Sequence, residues 1–331
     1  MRVIISGASG LIGSALCSEL RSGQHDVVTL VRRPAGAGEV QWDPANGVLP
    51  ADALEGADAV VHLAGAGIGD HRWTAEYKRE ILDSRVRSTT LLAETIAACT
   101  QRPPVFLSGS AIGIYGASDD RELDEQSPVG SGFLADTCRQ WEAAALPAAA
   151  AGTRVAYLRT GIVLTPKGGA LKKMLPLFKL FAGGRFGNGK QWQSWISLPD
   201  EVGAICHLLT SDVEGPVNLT APNPITNAGF AKQLGKALGR PSVVPVPSFG
   251  PKLLLGSELA EALLFTGQNV LPKVLQHSGY HFRHPRLDEA FAALVRGPGH
   301  DGAPGARART RAARDDNCPL VARPLARAQA D

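Results

Sequence analysis

Val3-Ile4-Ile5-Ser6-Gly7-Ala8-Ser9-Gly10-Leu11-Ile12-Gly13 decides the fold. Three consecutive apolar residues with β-branched side chains are typical of a strand buried on both faces. Ser6 to Gly10 then supplies turn residues, and Ile12, Leu16 and Leu20 follow at a spacing of four, which is the apolar stripe of a helix. Ser22-Gly23 ends that helix. Outward from this unit the same alternation continues. Val27 to Val31, Ala59 to Leu63, Val105 to Leu107 and Val155 to Leu158 read as further buried strands, separated by helical segments. Strands of this kind, alternating with helices, predict a doubly wound α/β fold with a parallel sheet covered on both faces.

The glycines carry the first chemical reading. Gly7 permits a tight turn, Gly10 lets the backbone approach a pyrophosphate, and Gly13 lets the helix lie close to the strand. A helix N-terminus at Leu11-Ile12 offers free N–H groups and partial positive charge to phosphates, with Ser9 in the same turn. A strand, a glycine turn and an amphipathic helix in this order predict a dinucleotide site. Arg32-Arg33 closes the second strand, about twenty residues past the glycines, where NAD-specific proteins place a carboxylate for the ribose hydroxyls. Two guanidiniums there suit a 2′-phosphate, so NADP(H) is the expected cofactor.

Composition limits the alternatives. The chain has 331 residues, 34 basic and 31 acidic, for a formal net charge of +3, and 44% of it is hydrophobic. That core content excludes intrinsic disorder for the whole chain, and the near-neutral balance argues against nucleic acid as the main partner. Five widely spaced cysteines, with no C-x-x-C pair, predict a reducing compartment and neither a disulfide framework nor a zinc site. No run of about 18 apolar residues predicts a transmembrane helix, and Met1-Arg2 leads directly into a strand without the grammar of a signal peptide. A cytoplasmic protein, without membrane attachment, is expected. Its oligomeric state stays open.

The grammar changes near Gly168. The expected organisation is a nucleotide-binding domain over 1–167, with later strands contributed from 196–222, and a smaller lobe over 168–296. Residues 297–331, rich in Gly, Ala, Arg and Pro, are expected to form a disordered tail.

Several separated motifs carry a family resemblance. Gly7-x-x-Gly10-x-x-Gly13, the strand ending His62-Leu63-Ala64-Gly65, and Ser108-Gly109-Ser110 before Tyr115-Gly116 resemble the extended short-chain dehydrogenase/reductase group, which includes nucleotide-sugar epimerases. Arg72-Trp73-Thr74, Ser84-Arg85, Trp141-Glu142, Arg159-Thr160-Gly161-Ile162-Val163-Leu164, Gln191 to Ile196 and Phe282-Arg283-His284-Pro285 resemble more narrowly its atypical epimerase-family branch, the SDR39U1-like proteins, some of which are labelled cell-division inhibitors. The likeness spans about residues 1–296. It implies that His62, Leu63, Ala64, Gly65, Glu80, Arg85, Ser108, Ile162 and Val163 join Gly7, Ser9, Gly10, Leu11, Ile12, Gly13, Arg32 and Arg33 around the cofactor.

The group's usual chemistry needs a Tyr-x-x-x-Lys pair, the tyrosine as acid/base and the lysine lowering its pKa. In this sequence the matching register reads Leu134-Ala135-Asp136-Thr137-Cys138. Leu134 transfers no proton and Cys138 carries no positive charge. Ser110, Tyr115 and Cys138 remain as candidate catalytic groups, and Trp73, Trp192 and Trp195 as candidate walls of a small-molecule pocket. No second ligand stands at metal spacing from His62. Two functions follow as expectations: an NADP(H)-dependent oxidoreductase or epimerase-like enzyme on a small molecule, or an NADP(H)-binding sensor without turnover.

Overall fold

Buried strands with apolar residues on both faces need helices on both sides, and the chain supplies them. The computed structural model describes residues 1–242 and 245–296. Strand β1 (Arg2–Ser6) leads through the glycine turn into helix α1 (Leu11–Ser22) and returns as β2 (Asp26–Val31). A three-residue edge strand, β3 (Glu39–Gln41), follows, then β4 (Ala59–His62), the long helix α2 (Ala75–Ala98), β5 (Val105–Ala111) and helix α3 (Phe133–Ala143). Two later strands, Arg154–Thr160 and Gly215–Leu219, complete a seven-stranded sheet in the order Gly215–Leu219, Arg154–Thr160, β5, β4, β1, β2, β3. Every neighbouring pair is parallel. The order runs outward in both directions from β1 and β4, so the crossover helices lie on opposite faces and a crevice opens between those two strands at their C-terminal ends.

Alternate residues of β1 enter different cores. Val3 and Ile5 pack with Leu16 and Leu20 of α1, and with Ile205 and Leu209 of the helix Leu198–Thr210. Ile4 packs on the other face with Leu92 and Ile96 of α2 and with Phe106. A third cluster joins Trp195, Phe230 and Phe291 with the helices Gly169–Lys179, Asn227–Leu238 and Leu287–Phe291. The strand Gly215–Leu219 therefore belongs to the main sheet although it lies after that smaller lobe begins. In the smaller lobe Gly256, at φ +91°, separates the helix Phe249–Leu255 from Ser257–Ala260.

The C-terminal block is fastened to the body by buried polar groups. Asp200, fully buried, accepts the backbone N–H groups of Arg283 and His284 at 2.6 and 3.0 Å and the hydroxyl of Ser197 at 2.7 Å. Tyr280 donates to the carbonyl of Asp200 at 3.0 Å. The Phe282-Arg283-His284-Pro285 motif thus serves attachment. Asn269–Val270 pairs with Glu122–Leu123 as a second tie. The expected tail, 297–331, lies outside the described residues. Among the described residues no helix is long and apolar enough to cross a membrane.

Candidate functional site

The crevice at the ends of β1, β2 and β4 is a cleft of about 850 Å³. Its floor is the glycine turn. Gly10 donates to the carbonyl of Gly7 at 3.0 Å, and Gly7 sits at φ +73°, where a Cβ would fall 2.6 Å from the carbonyl carbon of Leu63. A Cβ on Gly13 would overlap the Gly7 carbonyl oxygen. No side chain caps α1, whose N-cap is Gly10. The first N–H groups of α1, at Leu11, Ile12 and Gly13, therefore lack side-chain acceptors and leave a phosphate-sized anion site. Gly7, Ser9, Gly10, Arg32, Arg33, Leu63, Ala64, Gly65 and Glu80 all line this cleft.

The two arginines differ in a way their adjacency conceals. Pairing of β2 with β3 sets Leu30 opposite Val40 and Val31 opposite Gln41. Glu39 thereby reaches Arg33, which holds it with two hydrogen bonds of 2.6 Å. The pair holds the Glu39 carboxyl below its usual range, chiefly through the Arg33 hydrogen bonds. Arg32 makes no ion pair among the described residues and faces the cleft. Sequence reading missed Glu39, because β3 is three residues long, and missed the far wall of Trp42, Asp43, Pro44 and Ala45 that follows it. It also missed Asp83, Ser84, Arg87 and Ser88 of α2.

His62 is placed elsewhere than expected. Its ring is fully buried, with Nδ1 2.5 Å from the Ser6 hydroxyl and Nε2 3.0 Å from the Ser88 hydroxyl. Burial drives its pKa down to about 3, so a neutral imidazole ties β1, β4 and α2 together behind the cleft. Ser108, also fully buried, lies behind the cleft with an unpartnered hydroxyl. Val163 pairs with Ile196 in a small sheet and lines neither cavity.

A second cavity, of about 160 Å³, lies between α2, α3 and the C-terminal lobe. It is lined by Leu134 and Cys138 from the altered register, by Thr160 to Ile162, by Trp192 and by Arg85. The Cys138 thiol is buried and pushed up to about 12, first by desolvation and then by Glu142, so it is held protonated at neutral pH. Ser110 and Tyr115 point away. Ser110 donates to Glu142 at 2.6 Å; Tyr115 donates to Asn218 at 2.7 Å and accepts from Arg159 at 3.0 Å. Arg159 in turn grips Glu142 at 2.8 and 2.9 Å. Ser110 and Tyr115 are thereby engaged in this network, whereas Cys138 lines the cavity.

Arg85 also differs from expectation. Tyr77, Ile81, Arg85, Ser88, Leu92 and Ile96 form the buried stripe of α2, and Arg85 stands inside it, 8% exposed. Its spacing was the available signal. The guanidinium lines the second cavity, beside Gly65, rather than the phosphate cleft. Of the three tryptophans, Trp192 lines that cavity. Trp195 is fully buried in the third core, its Nε1 donating to Asn223 at 3.1 Å. Trp73 stacks edge-on against Phe133 and donates to Ile68. The sequence did not reveal Glu201, which is fully buried and accepts the Thr160 hydroxyl at 2.8 Å. Desolvation raises its pKa to about 8. Among the described residues no cluster of three metal-binding side chains occurs.

Residues 3–220 match the NAD dependent epimerase/dehydratase family, and residues 246–294 a domain of unknown function, DUF1731. The chain is 43% identical to an epimerase family protein of Mycobacterium leprae, covering 89% of this chain and 96% of that one. It is 38% identical to human epimerase family protein SDR39U1, covering 89% and 100%. A crystal structure of that human protein (isoform 2) with NADPH superposes with a TM-score of 0.81 and 35% identity, over 90% of this chain and all of the other.

Proposed function

The chain belongs to the NAD dependent epimerase/dehydratase family, and on that premise we propose that it binds NADP(H) in the larger cleft and transfers hydride to or from a small molecule in the adjoining cavity. The observation that carries the cofactor reading is the end of β2. Arg32 faces the cleft with Asp43 within its electrostatic reach, and Glu39 is neutralised by Arg33. A free carboxylate would favour ribose hydroxyls; a free guanidinium favours a 2′-phosphate. The NADPH in the human relative's structure supports the same choice.

Within this site the glycine turn and the N-terminus of α1 receive the pyrophosphate; Gly65 lines the cleft against the Arg85 side chain, and Arg85 and Ile162 line the second cavity. The bound cofactor would supply hydride chemistry. Leu134 holds no exchangeable proton, and the Cys138 thiol, pushed up by burial, keeps its own at neutral pH. Thr160 lines the cavity and its hydroxyl donates to Glu201, which burial keeps protonated at neutral pH and so holds a proton in reserve. We assign the Thr160–Glu201 pair the proton transfer: the Thr160 hydroxyl passes its proton to the substrate oxygen as it takes one from protonated Glu201, which is left as the carboxylate.

Fluorescence titration with NADPH and NADH tests the cofactor reading, with tighter NADPH binding expected; equal affinities would overturn it. A cofactor-consumption screen against carbonyls, sugar nucleotides and quinones tests turnover, which Thr160→Val should abolish. The Leu134 and Cys138 positions favour a second reading, in which NADP(H) is bound as a signal without turnover. A silent screen with intact NADPH binding would support it.

A further inference from the structure

Two arginines are buried around the second cavity, and one of them has a carboxylate. Arg159 is held at both ends of its fork by Glu142. Arg85 donates from Nη1 to the Ile81 carbonyl at 3.0 Å, and its guanidinium lies 5.0 Å from the centroid of the Trp141 ring. Among the described residues no carboxylate lies within ion-pair distance of it, and the groups that act on its charge are the un-ionised Cys138 and Tyr77. A guanidinium presents five donors and does not lose its proton, so one carbonyl leaves most of its capacity unspent. Removing such a charge from water is unfavourable unless an anion joins it.

The cavity it faces has a definite character. Arg85 is the one charged residue among those lining it, and Ile68, Ile112, Leu134, Trp192 and Leu263 supply apolar walls. Its volume, about 160 Å³, is that of a cavity that takes a benzene-sized molecule, on the order of six to ten non-hydrogen atoms.

We propose that this cavity binds a small, largely apolar molecule carrying one anionic group, of the size of a benzoate-like carboxylate, with that group seated on the guanidinium of Arg85. The inference deepens the function proposed above and rests on it for the neighbouring cofactor.

The test begins with NADPH titrations of the wild type, Arg85→Gln and Arg85→Lys. Benzoate and its neutral counterpart benzyl alcohol are then titrated by calorimetry into each NADPH-saturated protein. The expected result is benzoate binding about tenfold tighter than benzyl alcohol in the wild type, a preference lost in Arg85→Gln and partly kept in Arg85→Lys. NADPH affinity should stay within about threefold throughout. Equal or absent binding of the two probes in the wild type overturns the proposal, as does a preference that survives Arg85→Gln. A tenfold loss of NADPH affinity in Arg85→Gln would move Arg85 to the cofactor and overturn it as well. Should Arg85→Gln not fold, the wild-type comparison and Arg85→Lys still decide. Failure of NADPH to bind the wild type would sink the cofactor reading alone, and the two probes titrated without cofactor would still decide the anion site.

Discussion

Arg33 and Glu39 meet fork to fork at the edge of the sheet, with both nitrogen–oxygen distances 2.6 Å. The contact divides the labour of two adjacent arginines. Arg33 cancels the carboxylate that would otherwise repel a phosphate, and Arg32 is left to face the cleft. Arg32→Ala should therefore weaken NADPH by about tenfold and leave NADH within about twofold. Arg33→Ala should uncover Glu39 and shift preference toward NADH, whereas Glu39→Gln should free Arg33 and tighten NADPH. Paired fluorescence titrations measure all three, and an Arg33→Ala protein with unchanged cofactor preference would contradict the arrangement.

Glu201 predicts the pH dependence of stability. Its folded pKa, about 8, lies above the ordinary carboxylate value because it is buried beside one hydroxyl. Between about pH 4.5 and 8 the folded state holds a proton that the unfolded state has released, so this group's contribution to stability falls as pH rises through that window. Glu201→Gln removes the titration and keeps an acceptor for Thr160. The variant should gain on the wild type by about 1–3 kcal/mol between pH 5.5 and pH 8.5. Urea unfolding at the two pH values reads it, and a constant difference would exclude Glu201 as the cause.

Arg85 should cost stability. Replacing a buried, unpaired guanidinium with an apolar side chain of similar length removes a desolvation penalty and keeps a contact for Trp141. Arg85→Met is expected to raise stability by about 1–3 kcal/mol in urea. A destabilised variant would show that the Ile81 and Trp141 contacts already offset the burial.

Cys138 lies within the electrostatic reach of Arg85. Rebuilding the usual motif there is therefore expected to fail. Cys138→Lys alone should destabilise by about 2–4 kcal/mol, because a second cation enters the same buried site. The loss should be smaller in an Arg85→Met background. A double-mutant cycle of unfolding free energies measures the coupling, and additive effects would deny it.

The thiol itself should be inert. With its pKa pushed up to about 12 by burial, Cys138 should resist alkylation by iodoacetamide at pH 7.5 in the folded protein and react on unfolding. Peptide mapping after a timed reaction reads this residue directly. Rapid labelling of Cys138 in the folded state would restore it as a candidate nucleophile.

The doubly wound fold and the phosphate-binding turn were determined by the sequence itself, because their signals are local. Three apolar residues, a turn that only glycines fit and a stripe of Ile12, Leu16 and Leu20 lie within twenty residues and need no distant partner. The stripe of α2 equally marks Arg85 as buried. Tertiary structure alone decided what each buried group meets. The register of β2 on β3 brings Glu39 to Arg33; the crossing of α2 and α3 sets Arg85 against Trp141 and beside Cys138. The return of the chain through Leu198–Thr210 puts Glu201 under Thr160. Trp195, apolar like Trp192 and three residues away, went to the core, since Trp195-Ile196-Ser197 is buried throughout and its alternation marks no side. Periodicity shows whether a side chain leaves water. Its partner is chosen by parallel crossovers that join residues dozens of positions apart.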